Sequence, residues 1–326
     1  MRSIQKEYSF PLSSVKPLKR LMSYREHCLS RTRFACRKGT KRREISPVFG
    51  TPLEPMGQVD GFMYARCPES GSLFLSELPD SLEWGRLLSE ISHYRYSPEA
   101  FHHLLAQSRT DHVYAPKVEW IQETLALQGV RRARILEVVT PPSPVSLLLN
   151  ECKAFSEVQT SDEMALAHPE GSSLSHYETS QVESVLLLES LDRIDDPVGL
   201  LNGVSGRLVS NGLLFITALV ASGFDMQVLG LKNLYLYPPD RVNCFSLRGL
   251  KILLEHAGFT LLEVSTPGVL DVEIIQAHLQ EDSSISMSGF ERQIVDADEE
   301  TREGFQAFLQ ERGLSSFARI VARKRS

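Results

Sequence analysis

The chain has 326 residues, 42% of them hydrophobic and 23% charged, with a formal net charge of −6. That length allows one large domain with appendages or two domains, and that apolar share supports an ordinary packed core. No apolar run approaches the roughly 20 residues of a membrane helix, the first 20 residues are too broken by charges and prolines for a secretory segment, and five scattered cysteines suit a reducing, cytoplasmic setting better than a disulfide framework.

Charge is unevenly spread. Eleven cations lie between Lys16 and Arg43, opposed by Glu26 alone. Three readings of residues 1–45 stay open: a solvated, partly disordered basic arm, an arm that contacts nucleic acid or anionic lipid through residues 16–43, or an Arg- and Ser-rich presequence. Pro47, Gly50, Pro52, Pro55 and Gly57 then mark a loop-rich stretch, with strand-like pieces at 61–66 and 72–75. Helical spacing covers 82–91, opened by Asp80 or Ser81 as a cap. Helices over 98–106 and 116–127 each carry a proline near the first turn. Residues 46–95 are therefore read as a small module and 96–132 as a helical linker.

From Arg134 the period changes. Short apolar strands at 134–139, 155–160, 182–188 and 212–220 alternate with helices at 145–153, 197–209 and 247–256, the last closed by Gly258 in a left-handed cap. Further strands follow at 259–264 and 317–323. The near-continuous apolar run at 182–188 is that of a strand buried on both faces. Such alternation predicts an α/β protein with a doubly wound, mostly parallel sheet over 133–326, and ligands at the carboxyl ends of its strands.

Several runs then carry a resemblance. Val182-Glu183-Ser184-Val185 is followed by Leu191-Asp192-Arg193-Ile194-Asp195-Asp196-Pro197, by Gly212-Leu213-Leu214-Phe215-Ile216-Thr217, and by the segment from Ser246 to Phe259. In this order and spacing they resemble class I S-adenosylmethionine-dependent methyltransferases. More narrowly, Pro238-Pro239-Asp240-Arg241-Val242-Asn243-Cys244-Phe245-Ser246, Thr266-Pro267-Gly268-Val269-Leu270-Asp271 and Leu314-Ser315-Ser316-Phe317 resemble bacterial methyltransferases of carbohydrate-type gene clusters. The resemblance implies a seven-stranded Rossmann-like sheet whose last strand is 317–323 and a cap insertion over 267–313. It also implies S-adenosylmethionine as donor and a polar, sugar-type acceptor. Members often begin with a zinc ribbon. Cys67-Pro68-Glu69-Ser70 and Cys36-Arg37-Lys38-Gly39 each keep half of a Cys-x-x-Cys knuckle. Zinc needs four soft or imidazole ligands, so a metal-free remnant is expected unless Cys28 or His27 completes the set.

The family pattern breaks where the donor would bind. Leu136-Glu137-Val138-Val139-Thr140-Pro141-Pro142-Ser143 stands in place of an acid and a glycine-rich loop, with Val139, Pro141 and Ser143 at the glycine positions. Proline fixes φ and offers no N–H, so the family's loop conformation is not expected. Gln159 stands where the family has an acid for the ribose hydroxyls, with Asp162 and Glu163 a few residues on. Asp240 and Arg241 replace a pair of histidines. Arg241 stays protonated and is no base, but it can clamp a carboxylate or phosphate; Asp240 could serve as a base. The resemblance places Glu137, Val139, Gln159, Glu189 and Tyr114 on the cofactor side, and Asp240, Arg241 and Asn243 on the catalytic side. Each has a structural alternative: a surface carboxylate for Glu137, a turn for Asn243, an amphipathic helix for Tyr114 and Lys117, packing for Tyr235 and Tyr237. Three functions stay open: methyl transfer, a non-catalytic descendant that binds a small molecule or a protein partner, and polyanion binding through the basic segment.

Overall fold

The computed structural model describes residues 10–98, 100–139, 143–169 and 181–325. Its main sheet is built from β1 (Ala133–Val138), β2 (Phe155–Ser161), β3 (Val182–Leu188), β4 (Leu208–Leu219), β5 (Phe259–Ser265) and β6 (Phe317–Lys324). Their spatial order is β2-β1-β3-β4-β6-β5. The first four run parallel, β6 is antiparallel to β4, and β5 is antiparallel to β6. This is a doubly wound, Rossmann-like sheet, with six strands among the described residues against the seven expected.

Alternating side chains explain why the sheet is covered twice. Ile135, Leu186, Phe215 and Val321 face a layer made by Val118, Ile121 and Leu125 of the helix Ala115–Leu127 and Leu149 of the helix Pro144–Glu151. Their strand neighbours Leu136, Val185, Leu187, Leu214, Ile216 and Ile320 face Leu200, Leu201 and Val204 of Pro197–Arg207 and Leu250, Leu253 and Leu254 of Leu247–His256. The chain leaves β1 toward β2 on one side and returns to β3 on the other, so the crevice beyond β1 and β3 is the topological switch point. The Ser190 hydroxyl ties that crevice by donating to the Val138 carbonyl at 2.8 Å.

The basic segment is not a solvated arm over its central part. Leu18–Cys36 is a helix whose buried face carries Leu21, Tyr24, Cys28, Leu29, Thr32 and Ala35, a spacing of three and four residues that charge counting masked. Several of its cations meet carboxylates of the fold: Arg25 pairs with Asp60, Arg31 with Glu90, Lys38 with Glu83, and Lys41 with Asp195.

A four-stranded antiparallel sheet orders Asn243–Cys244, Leu73–Leu75, Phe62–Arg66 and Glu54–Val59. Its first strand comes from the same stretch as the main sheet, so the N-terminal module is stitched into the C-terminal region. One apolar cluster joins Leu29, Tyr64, Leu75, Trp84, Leu236 and Val242. The expected knuckle at Cys67 survives as a tight turn, with Gly71 at φ +74°. Serine hydroxyls hold it. Ser70 Oγ donates to Ser72 Oγ at 2.9 Å, and Ser72 Oγ accepts from the Ser246 N–H at 2.9 Å. Asp80 caps Ser81–Arg95 by accepting from the Glu83 N–H. The helix expected over 98–106 is instead broken into Phe101–Leu104 and Ala106–Arg109, followed by a widened π-helical turn, Thr110–Tyr114.

If Leu18–Cys36 belongs to the core, Leu29→Ala, at a side chain with no exposure, lowers unfolding free energy by about 2–5 kcal/mol. Urea denaturation checks this, and an unchanged midpoint would show that the helix adds nothing to stability.

Candidate functional site

A cavity of about 240 Å³ lies beyond the carboxyl ends of β1, β3 and β4. Glu137 and Val139 come from the end of β1, Leu188 and Glu189 from the end of β3, and Leu219 from the end of β4. Val15, Lys16, Leu21 and Tyr24 close it from the N-terminal segment, Arg109 and Tyr114 from the widened turn, and residues 235–241 and 268–274 from the far wall.

Glu189 sits at its centre of charge. The residue turns off the end of β3 with φ +65°, and its N–H donates to the Thr217 carbonyl at 2.8 Å. Its carboxylate accepts from Lys117 Nζ at 3.3 Å and from Arg241 Nη2 at 2.7 Å. Arg193 Nε donates to its carbonyl oxygen at 3.1 Å. Burial pushes the Glu189 carboxyl up, but Lys117, Arg241, Lys16 and Arg193 together outweigh it and hold it well below the usual carboxylate range. Lys16 lies 4.4 Å over the Tyr235 ring. Burial lowers its pKa to about 8; Glu189 opposes this, while Arg109, Arg241 and Lys117 reinforce it. Arg241 also reaches Asp192, its Nε 3.4 Å from Oδ2. Burial raises Asp192 to about 7, even though Arg241 pulls the other way.

The residues singled out in the sequence divide. Tyr114, Val139, Glu137, Glu189, Asp240 and Arg241 all line the cavity. Asp240 is held by Arg95 Nη2 at 2.5 Å and by the Tyr237 hydroxyl at 3.2 Å. Tyr114 Oη accepts from Arg109 Nε at 3.0 Å. Glu137 is not a surface carboxylate: it is buried, and both its oxygens accept from serine hydroxyls, Ser143 at 2.9 Å and Ser146. Burial raises its pKa. Ser143 in turn caps Pro144–Glu151 through the Val145 and Ser146 N–H groups. Thr140, Pro141 and Pro142 lie outside the described residues.

Two assignments do not reach the cavity. Gln159 donates to Glu157 at 2.8 Å and accepts from Arg207 Nη2 at 3.0 Å, on the side of the sheet that packs Pro197–Arg207. Asp162 is used as a cap, accepting from the Met164 and Ala165 N–H groups. Asn243 is fully buried outside the cavity lining. Its amide donates to the Leu191 and Ile194 carbonyls at 2.7 Å each, and its oxygen accepts from Arg43 Nη1 at 2.6 Å. That satisfies the side chain with the fold itself, so Asn243 braces the turn after β3. Sequence reading missed Lys16, Arg109 and Arg319 as cavity residues. Lys16 was hidden in a charge run, and neither arginine stands in a motif.

No family model matches this chain, and no curated protein is similar to it. Among solved structures, a 1,6-didemethyltoxoflavin N1-methyltransferase from Burkholderia thailandensis, with bound S-adenosylhomocysteine, is 12% identical over 84% of this chain and 100% of its own, with a TM-score of 0.43. A putative sarcosine dimethylglycine methyltransferase from Galdieria sulphuraria is 14% identical over 65% of this chain and 86% of its own, with a TM-score of 0.36. A cyclopropane synthase from Mycobacterium tuberculosis is 13% identical over 66% and 85%, with a TM-score of 0.39. These likenesses concern the fold alone.

Asn243→Ala leaves two buried carbonyls without their partner, removes one acceptor from Arg43 and lowers stability by at least about 2 kcal/mol, measured by urea unfolding. Ligand binding by the folded fraction stays unchanged. Asp192 gives a pH signature. Its folded pKa of about 7 is raised from the usual carboxylate value, so the stability it contributes is present at acid pH and lost as pH rises through 7. Asp192→Asn cannot titrate. Between pH 5 and pH 8 its melting temperature therefore drops less than that of the native chain, and equal drops would refute the assignment.

Proposed function

We propose that this chain is a methyltransferase-fold protein that does not transfer methyl groups and whose cavity binds a small molecule. The observation that carries this reading is the charge around Glu189. Four cations, Lys16, Lys117, Arg193 and Arg241, act on that one carboxylate. The reactive group of S-adenosylmethionine is a sulfonium cation, and a cavity with this surplus of positive charge opposes it. Two further features support the reading. Glu137 is buried and both its oxygens accept from serine hydroxyls, Ser143 and Ser146, so a donor's amino group would have to compete with the cap of the helix Pro144–Glu151 for it. Gln159 is engaged with Arg207 and Glu157 instead of pointing into the crevice. The residues present do not fit the donor in the manner the family resemblance implies, and no catalytic step is derived through it.

Calorimetric titration of the full chain with S-adenosylmethionine and with S-adenosylhomocysteine checks the reading. The expected outcome is no binding tighter than roughly 100 μM, equivalent to about −5.5 kcal/mol. Tighter binding of either compound restores the enzyme.

A further inference from the structure

We infer that the cavity takes a small anion with a flat apolar body, an aromatic phosphate or carboxylate, whose charged end meets Lys16 beside Glu189. This rests on the reading that the cavity is not a methyl-donor site, and it deepens that reading by naming the ligand class.

Among the described residues, seven cationic side chains and four carboxyl groups line the cavity, and two carboxylates behind the lining pair with it, Asp192 with Arg241 and Glu163 with Arg193. Three of those four lining carboxyls already have close hydrogen-bond or ion-pair partners. Glu137 accepts from two serine hydroxyls. Asp271 accepts from Ser315 Oγ at 2.5 Å, the Ser316 N–H at 2.8 Å and Gln306 at 2.8 Å. Asp240 is paired with Arg95. Glu189 is left, and Lys117 and Arg241 occupy its two oxygens. Among the described residues Lys16 faces the same carboxylate without an ion-pair contact, resting on the Tyr235 ring. An enclosed cation without a counter-ion is costly, and an incoming anion removes that cost. A charge-assisted hydrogen bond from the ammonium adds to the gain.

The walls say what the rest of the ligand is. Tyr24, Tyr96, Tyr114, Tyr235 and Tyr237 all line the cavity. Tyrosines give flat apolar faces with a hydroxyl at the edge, which suits a planar ring. At about 240 Å³ the space lies below the range of drug-sized sites, so the ligand is about one ring with its anionic group. A free inorganic ion would leave the aromatic wall unused, and a cation or a neutral ring would leave Lys16 unmatched.

The test uses the full chain and five probes in calorimetry: phenyl phosphate, benzoate, inorganic phosphate, benzyl alcohol and S-adenosylmethionine. The expected result is millimolar or tighter binding of phenyl phosphate or benzoate, inorganic phosphate at least about tenfold weaker, and no binding of benzyl alcohol. Whichever aromatic anion binds identifies the acidic group. Lys16→Met weakens that anion at least about tenfold, Lys16→Arg restores most of the affinity, and the unliganded melting temperature of Lys16→Met is equal to or above that of the native chain. Affinity for the anion falls as pH rises past 8, where Lys16 loses its proton, and Lys16→Met abolishes that dependence. Equal affinity for phenyl and inorganic phosphate removes the aromatic part of the inference. No anion binding at 10 mM, or native affinity in Lys16→Met, overturns it entirely. Should S-adenosylmethionine bind while the anions do not, both this inference and the reading beneath it fail. If nothing binds, only the inference falls. If donor and anion both bind, the non-catalytic reading falls and the anion site stands.

Discussion

At the end of β3 one carboxylate holds four cations together, and the cavity's shape and its chemistry both follow from that. Glu189 sits with positive φ, a conformation that costs a non-glycine residue of order 1–3 kcal/mol. The surrounding charges offset the cost. Lys117 reaches it from the helix before β1, Arg193 from the turn that follows β3, Arg241 from the loop after β4, and Lys16 from the N-terminal segment. Lys117 and Arg241, far apart in sequence, are thus pinned to one point at the switch of the sheet, with Lys16 facing it. The same arrangement fixes the sign of the field in the cavity. On the reading proposed above, a group that must carry positive charge is resisted there, and a negative one is drawn in.

The N-terminal region walls one side of the crevice at the strand ends. On its own, a doubly wound sheet presents strand ends to solvent. Here the Leu18–Cys36 helix packs its apolar face into a cluster shared with Trp84, Leu236 and Val242, and the short strand Asn243–Cys244 pairs with Leu73–Leu75. Asn243 and Arg43 then brace the turn after β3 from below. Because that turn carries Arg193 and follows Glu189, the packing of the N-terminal module and the electrostatics of the cavity are mechanically linked. The serine-held turn at Cys67 belongs to the same joint, since Ser72 bonds to Ser246 at the start of Leu247–His256.

Much of the fold was legible in the sequence. The strands at 182–188 and 317–323 and the helix at 247–256 are bounded by periodicity and by Gly258, which takes φ +84° at the end of that helix. Those are local rules, satisfied within a few residues. The candidate site was legible only where it lies on strand ends: Glu137 and Glu189 sit at the carboxyl ends of parallel strands because the topology places them there. Gln159 lies outside the cavity lining, because sequence position along a strand does not say which face a side chain takes, and Arg207 waits on that face. Asn243 lies outside it too, because a fully satisfied amide and a ligand-binding amide look alike in a motif.

By itself the sequence determined the α/β alternation and the succession of strands and helices along the chain, because each depends on residue type and spacing over short range. Tertiary structure decided which charges meet. Eleven cations between Lys16 and Arg43 read as one basic run, yet folding sends Arg25 to Asp60, Lys41 to Asp195 and Lys16 into the cavity. Coulomb energies depend on distance and on burial, and neither is written in a linear chain.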